Sequence, residues 1–76
     1  PMRDVPQRLR WFSTLLPARR GDRILEVGCG NGALLELLAL RLPRATLVGI
    51  DRSALQVRKA TQRLATLPSP PRVYQL

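Results

Sequence analysis

The chain has 76 residues, a formal net charge of +8, and a composition that is 45% hydrophobic and 24% charged. That length admits a single hydrophobic core, and that balance excludes an intrinsically disordered chain. One cysteine, Cys29, excludes an internal disulfide, and the longest apolar run, residues 33–42, is interrupted by Glu36 and Arg41 and reaches only half of the ~20 residues a membrane-spanning helix needs.

A lone cysteine fits a reducing compartment, so the cytoplasm is the expected location, with no membrane partner. The N-terminal stretch has no uncharged apolar core of the signal-peptide kind, and Asp4 counts against an organellar transit peptide. Residues 5–16 then carry Val5, Leu9, Phe12 and Leu16 at i, i+4, i+7 and i+11, one face of a helix. Asp4 with Gln7 has the form of a capping box, Pro6 suits a first turn and Pro17 ends the element, so a leading helix is expected over about 4–17. Trp11 reads as a packing residue beside that stripe. Arg19-Arg20-Gly21-Asp22 is a polar turn.

Ile24, Leu25 and Val27 form a short apolar run with one carboxylate, Glu26, inside it, and the run breaks into Gly28, Gly30 and Gly32 on alternate positions. This reads as a buried strand ending in a tight turn. Residues 33–42 follow as a leucine- and alanine-rich helix closed by Pro43. Leu34, Leu38 and Leu42 make one row with Leu35, Leu37 and Leu40 beside it, so cover on more than one side of this helix is expected. Glycines accept positive φ and let the backbone approach a ligand. The turn and the first N–H groups of the helix are expected to offer unpaired donors to a small, partly anionic molecule.

Thr46 to Ile50 is a second short strand, ended by Asp51. Ser53 with Gln56 repeats the capping box, and Val57, Ala60, Leu64 and Leu67 mark one face of a second helix. Pro68-Ser69-Pro70-Pro71 is a stiff loop, and residues 72–76 alternate like the start of a third strand. The βαβα order over 23–67 predicts an α/β, Rossmann-like fold: a parallel sheet with right-handed crossovers, whose ligands sit beyond the C-terminal ends of the strands. Glu26 and Asp51 both lie at such ends. Asp51 stands about 20 positions beyond Gly28, the separation expected of a carboxylate that binds ribose hydroxyls.

The basic residues, all arginine except Lys59, are spread along the whole length, and Trp11, Phe12 and Tyr74 are the only aromatics. Dispersed arginine is a solvated surface, and no zinc or helix-turn-helix spacing and no metal-ligand cluster is visible, so neither specific nucleic-acid binding nor a metal is expected. A noncatalytic basic module acting on RNA or another protein stands as one alternative reading.

Ile24-Leu25-Glu26-Val27-Gly28-Cys29-Gly30-Asn31-Gly32 resembles the first motif of the class I S-adenosylmethionine-dependent methyltransferases, and Val48-Gly49-Ile50-Asp51-Arg52-Ser53 resembles their second. The resemblance implies S-adenosylmethionine as cofactor. It places Glu26 near the methionine part, ordering its ammonium, and Gly28, Gly30 and Gly32 where the chain must come close. Cys29 and Asn31 fall in the same turn, Cys29 mattering through its backbone rather than its thiol. Asp51 is implied to hold both ribose hydroxyls and Arg52 to run beside the adenine, while Ser53 is equally well explained as a helix cap.

The glycine spacing, with Ala33 in the last place, also satisfies the dinucleotide fingerprint, so an NAD(P)- or FAD-binding segment of an oxidoreductase is the rival reading. Glu26 favours the methyltransferase, since its charge repels a pyrophosphate and attracts an ammonium and a sulfonium. The methyl acceptor, with a small molecule favoured, is not specified. The chain has no histidine, and the family's acceptor-side motifs follow later strands, so no catalytic residue is named. The resemblance covers the front third to half of a usual methyltransferase domain. It implies an N-terminal portion with a C-terminal remainder beyond Leu76, and weak cofactor binding without turnover for these residues alone.

Overall fold

The alternating and leucine-rich runs of the sequence become strands and helices close to where their periodicity places them. The computed structural model describes Gln7, Arg19 and residues 21–76. It contains, in order, β1 (Arg23–Val27), α1 (Ala33–Arg41), β2 (Thr46–Asp51), α2 (Ala54–Leu64) and β3 (Arg72–Gln75). The helix expected over about 4–17, with its Asp4 and Gln7 capping box, lies outside the described residues, apart from Gln7.

The three strands form one parallel sheet in the order β1-β2-β3. Ile24 stands opposite Leu47, Glu26 opposite Gly49 and Val27 opposite Ile50, while Gly49 pairs in turn with Val73 and Asp51 with Gln75. Two right-handed crossovers that step the same way across a sheet put both helices on one face. Accordingly Leu35 and Leu38 of α1, Leu64 of α2, Leu47 of β2 and Cys29 make one core, with Ile24 and Val73 packed against it. The opposite face carries Leu25, Val27 and Tyr74, at 57%, 70% and 49% exposure. The cover expected on more than one side of α1 is therefore narrower than the sequence suggests: Leu35, Leu37 and Leu38 are buried, whereas Leu40 is 52% exposed.

Both helix starts are capped, each in its own way. Gly32 at the N-cap of α1 has φ 84° and no side chain, and the preceding Asn31 supplies the cap, its Oδ1 accepting from the Ala33 N–H at 3.1 Å. At α2, Ser53 Oγ accepts from the Gln56 N–H at 3.2 Å, as its spacing predicts. The reciprocal half of that capping box is replaced. The Ser53 N–H, which it would give to the Gln56 side chain, goes to Asp51 Oδ1 at 2.9 Å. Among the described residues, no helix is long and apolar enough to cross a membrane.

A polar contact between Glu36 and Arg63 joins the two helices. Glu36, in the apolar stretch of α1 and only 7% exposed, accepts from Arg63 Nε of α2 at 3.1 Å. Arg63 Nη2 is also buried and has no hydrogen-bond partner among the described residues. Removing one member of a buried pair leaves a charge without compensation, which costs more than the pair contributes. Glu36→Ala is therefore expected to lower the unfolding free energy by about 2–4 kcal/mol, somewhat softened because the Arg63 side chain reaches solvent. The double variant Glu36→Leu/Arg63→Met should recover most of that loss in urea denaturation.

Candidate functional site

The site is built on the C-terminal tip of β2. The Ile50 carbonyl accepts from both the Gly28 N–H, at 2.8 Å, and the Cys29 N–H, at 3.0 Å. One residue further on, Asp51 Oδ2 accepts from the Gly30 N–H at 2.9 Å. The Gly32 N–H closes the turn on the Cys29 carbonyl at 3.1 Å. Most of the turn donors that the sequence leaves open for an anionic ligand are thus taken by the chain itself. With the Ala33 N–H held by Asn31, the N–H groups of Gly28, Cys29, Gly30, Gly32 and Ala33 are engaged before any ligand arrives, because the end of a neighbouring parallel strand lies within reach of the turn.

The glycines divide by what surrounds them. Gly28, Gly30 and Gly32 all have left-handed φ, at 74°, 57° and 84°, a region in which a Cβ clashes with the adjoining carbonyl. A Cβ on Gly28 would meet nothing within 4 Å, and one on Gly30 only Gln56 Nε2 at 3.9 Å. Both border open space. A Cβ on Gly32 would lie 3.1 Å from Ala60 Cβ, so this glycine lets the start of α1 lie against α2. Gly32 is buried and also serves packing.

Gly49 belongs with it, and its part in the site was not anticipated. A Cβ there would fall 2.6 Å from Leu35 Cδ1 and 2.9 Å from Cys29 Sγ. A glycine inside an apolar strand is the sequence signal for such a close approach.

The other turn residues hold the turn together. Cys29 is 6% exposed and its side chain lies in the core. Burial pushes its thiol up, and the Glu26 and Asp51 carboxylates push it further. Asn31 is exposed and caps α1. Arg52 is exposed too, and its carbonyl accepts from Gln75 Nε2 at 3.2 Å, which ties the tip of β3 to the loop after β2.

Register brings the two acidic residues to one side. Glu26 shares its face of β1 with Ile24 and stands opposite Gly49, and Asp51 lies two residues beyond Gly49 on the same face of β2. Both carboxylates therefore sit at the tips of neighbouring strands on the helix-covered side, flanking the turn. Their states are opposite. The N–H groups of Ser53 and then Gly30 hold the Asp51 carboxyl below the usual carboxylate range, leaving each oxygen a further acceptor site. Glu26 has its Oε1 buried with no hydrogen-bond partner among the described residues, and burial lifts its carboxyl from 4.5 to about 7. A separate cavity of about 470 Å³, bordered by Leu42, Thr46, Pro70 and Arg72, opens at the other end of the strands, away from both carboxylates.

A family model described as a methyltransferase domain matches residues 18–68. The trans-aconitate 2-methyltransferase of Afipia carboxidovorans is 45% identical over 49 residues, covering 64% of this chain and 19% of that protein. The ubiquinone biosynthesis O-methyltransferase of Alkalilimnicola ehrlichii is 40% identical over 60 residues, 78% of this chain and 24% of that protein. The chain thus spans about a fifth to a quarter of the length of these curated relatives. Among solved structures, a methyltransferase from Thiobacillus denitrificans in complex with S-adenosyl-L-homocysteine shares the fold, with a TM-score of 0.80 at 24% identity over 95% of this chain and 29% of that one. A plantazolicin methyltransferase in complex with the same compound is 29% identical, with a TM-score of 0.65 over 86% of this chain and 24% of that one.

The two kinds of glycine should separate in a stability measurement. Gly28→Ala is expected to cost about 1–2 kcal/mol, from left-handed strain alone. Gly32→Ala should cost about 1–3 kcal/mol more, because the α1–α2 contact must also open. Urea denaturation of the two variants side by side reads the difference.

Proposed function

The chain belongs to the methyltransferase-domain family, and on that footing we propose that it forms the S-adenosylmethionine-binding front of a class I methyltransferase. The observation that carries this reading is the pair of carboxylates at the tips of β1 and β2, one tied down and ionised, the other with a buried oxygen that has no partner among the described residues. Each suits a different part of such a cofactor. Asp51, whose oxygens keep free acceptor sites, suits a vicinal ribose diol. The orphaned Oε1 of Glu26 suits the ammonium of the methionine part, since a buried carboxylate needs a donor or a cation. Gly28 and Gly30 leave open the space through which a ligand comes against the turn, and Arg52 follows Asp51 on the exposed side, where the adenine is proposed to lie.

S-adenosylmethionine, when bound, supplies a methyl group on a sulfonium whose departure leaves a neutral thioether. These residues bind and orient it, and a bound, correctly placed methyl donor already provides much of what the transfer requires. The two solved relatives hold S-adenosyl-L-homocysteine, the product of that departure. Transfer to an acceptor is proposed for the whole enzyme, with a small molecule favoured, as the name of the trans-aconitate enzyme suggests for that relative. A cytoplasmic setting is proposed with it, supported by the single buried thiol.

The dinucleotide alternative fares worse on this geometry. A pyrophosphate is held by free N–H groups of the turn and the helix start. Here those of Gly28, Cys29, Gly30, Gly32 and Ala33 are already engaged, and the half-buried Glu26 carboxyl stands beside them.

Calorimetry with S-adenosylhomocysteine and with NAD tests the reading. Heat is expected with the first and none with the second. Asp51→Ala should weaken the first by about 10- to 100-fold, the loss of one or two hydrogen bonds to a charged acceptor. Preference for NAD would favour the dinucleotide alternative. Binding to RNA that persists in Asp51→Ala and falls steeply with salt, with no binding of either nucleotide, would favour the basic module.

A further inference from the structure

Glu26 is the one carboxylate of the site that the fold does not satisfy. Its neighbour across the sheet, Gly49, has no side chain to offer, and its Oε1 is closed to solvent without a donor among the described residues. Among the described residues, the ionisable groups around it, taken element by element, supply no cation. From the turn comes the Cys29 thiol, which feels Glu26 and Asp51 as negative charges. From β2 comes Asp51, held by Gly30 and Ser53. From α1 comes Glu36, which is bound to Arg63 of α2, while Arg58 and Lys59 of α2 are exposed. Arg23 of β1 and Arg72 of β3 sit on the opposite face, in register with Thr46 and Val48.

We propose that the free protein keeps a proton on Glu26 and that the ammonium of the cofactor displaces it, so that cofactor binding is coupled to proton release. The exchange balances: the O–H bond of the acid breaks, its electron pair stays on the carboxylate, the proton passes to buffer, and the arriving ammonium keeps its charge and makes the ion pair. Protonation removes the cost of an uncompensated buried charge until a cation arrives. Burial raising this carboxyl to about 7 agrees with that. The coupling rests on the placement of Glu26 beside the ammonium proposed above. It adds a selectivity: a ligand with the nucleoside but no ammonium leaves the proton in place.

The free protein is tested first. The side-chain carboxyl carbon of Glu26, followed by NMR, should titrate with a midpoint near 7; a midpoint below about 5, the ordinary glutamate range, overturns the proposal. A raised folded-state value means stability that is present at low pH and lost as the pH climbs toward it. Glu26→Gln should accordingly melt higher than the wild type at pH 8, and an unchanged or lower melting temperature contradicts the proposal.

The ligand arm compares S-adenosylhomocysteine, which carries the ammonium, with methylthioadenosine, which has the nucleoside and thioether without the amino acid. Calorimetry at pH 7 in two buffers of different ionisation enthalpy should count about half a proton released with the first and none with the second. The affinity of the first should be about tenfold weaker at pH 6 than at pH 8, and that of the second unchanged. Binding of S-adenosylhomocysteine that is lost in Glu26→Gln but releases no proton overturns the coupling and leaves the cofactor assignment standing. No binding of S-adenosylhomocysteine to the wild type overturns both.

Discussion

The tip of β2 holds this structure together where it matters. Two consecutive residues there take four N–H groups: the Ile50 carbonyl accepts from Gly28 and Cys29, and the Asp51 carboxylate from Gly30 and Ser53. One carboxylate thereby fixes both the turn that begins α1 and the residue that caps α2. A partly buried turn with that many unmet donors would be costly, and a side chain with two acceptor oxygens at the end of the adjacent strand meets much of the need. Gly28 and Gly30, both left-handed, lie in the stretch whose successive N–H groups turn toward β2.

Asp51 is for this reason a structural group, and in the proposed reading a binding group as well. Its N–H partners hold it ionised and aimed, so the diol proposed for it would meet an acceptor that needs no reorganisation. Glu26 has the complementary character: it is half-buried beside the side-chain-free Gly49, and its Oε1 is closed to solvent without a donor among the described residues. A turn with most of its own donors engaged and with acidic flanks would favour hydroxyls and cations over phosphates. On the proposed reading, that is the physical distinction between this site and a dinucleotide site built from similar glycines.

Much of the fold was legible because it is written in local periodicity. The strands and both helices follow from alternation, from the leucine spacing and from Pro43, and the Ser53 cap from its Gln56 three residues on. The strand-tip positions of Glu26 and Asp51 follow from parallel topology, which needs only the order of elements. What was missed depends on partners distant in sequence. Nothing local marks Glu36 as the partner of Arg63, 27 residues away, or separates Gly32, which lies against Ala60, from Gly28, which faces open space. The engagement of the turn by Ile50 and Asp51 was hidden for the same reason. From local sequence alone the turn looks like a loop with free donors, because the strand that takes several of them arrives some 20 residues later.

The most direct measure of this account is amide hydrogen exchange at Gly30, read by NMR in the ligand-free protein and in Asp51→Ala. If the β2 tip organises the turn, Gly30 is protected in the wild type, and the substitution speeds its exchange by about tenfold or more while the β1–β2 ladder stays protected. Exchange at Gly30 as fast as in an unstructured chain, or unaltered by Asp51→Ala, would contradict it.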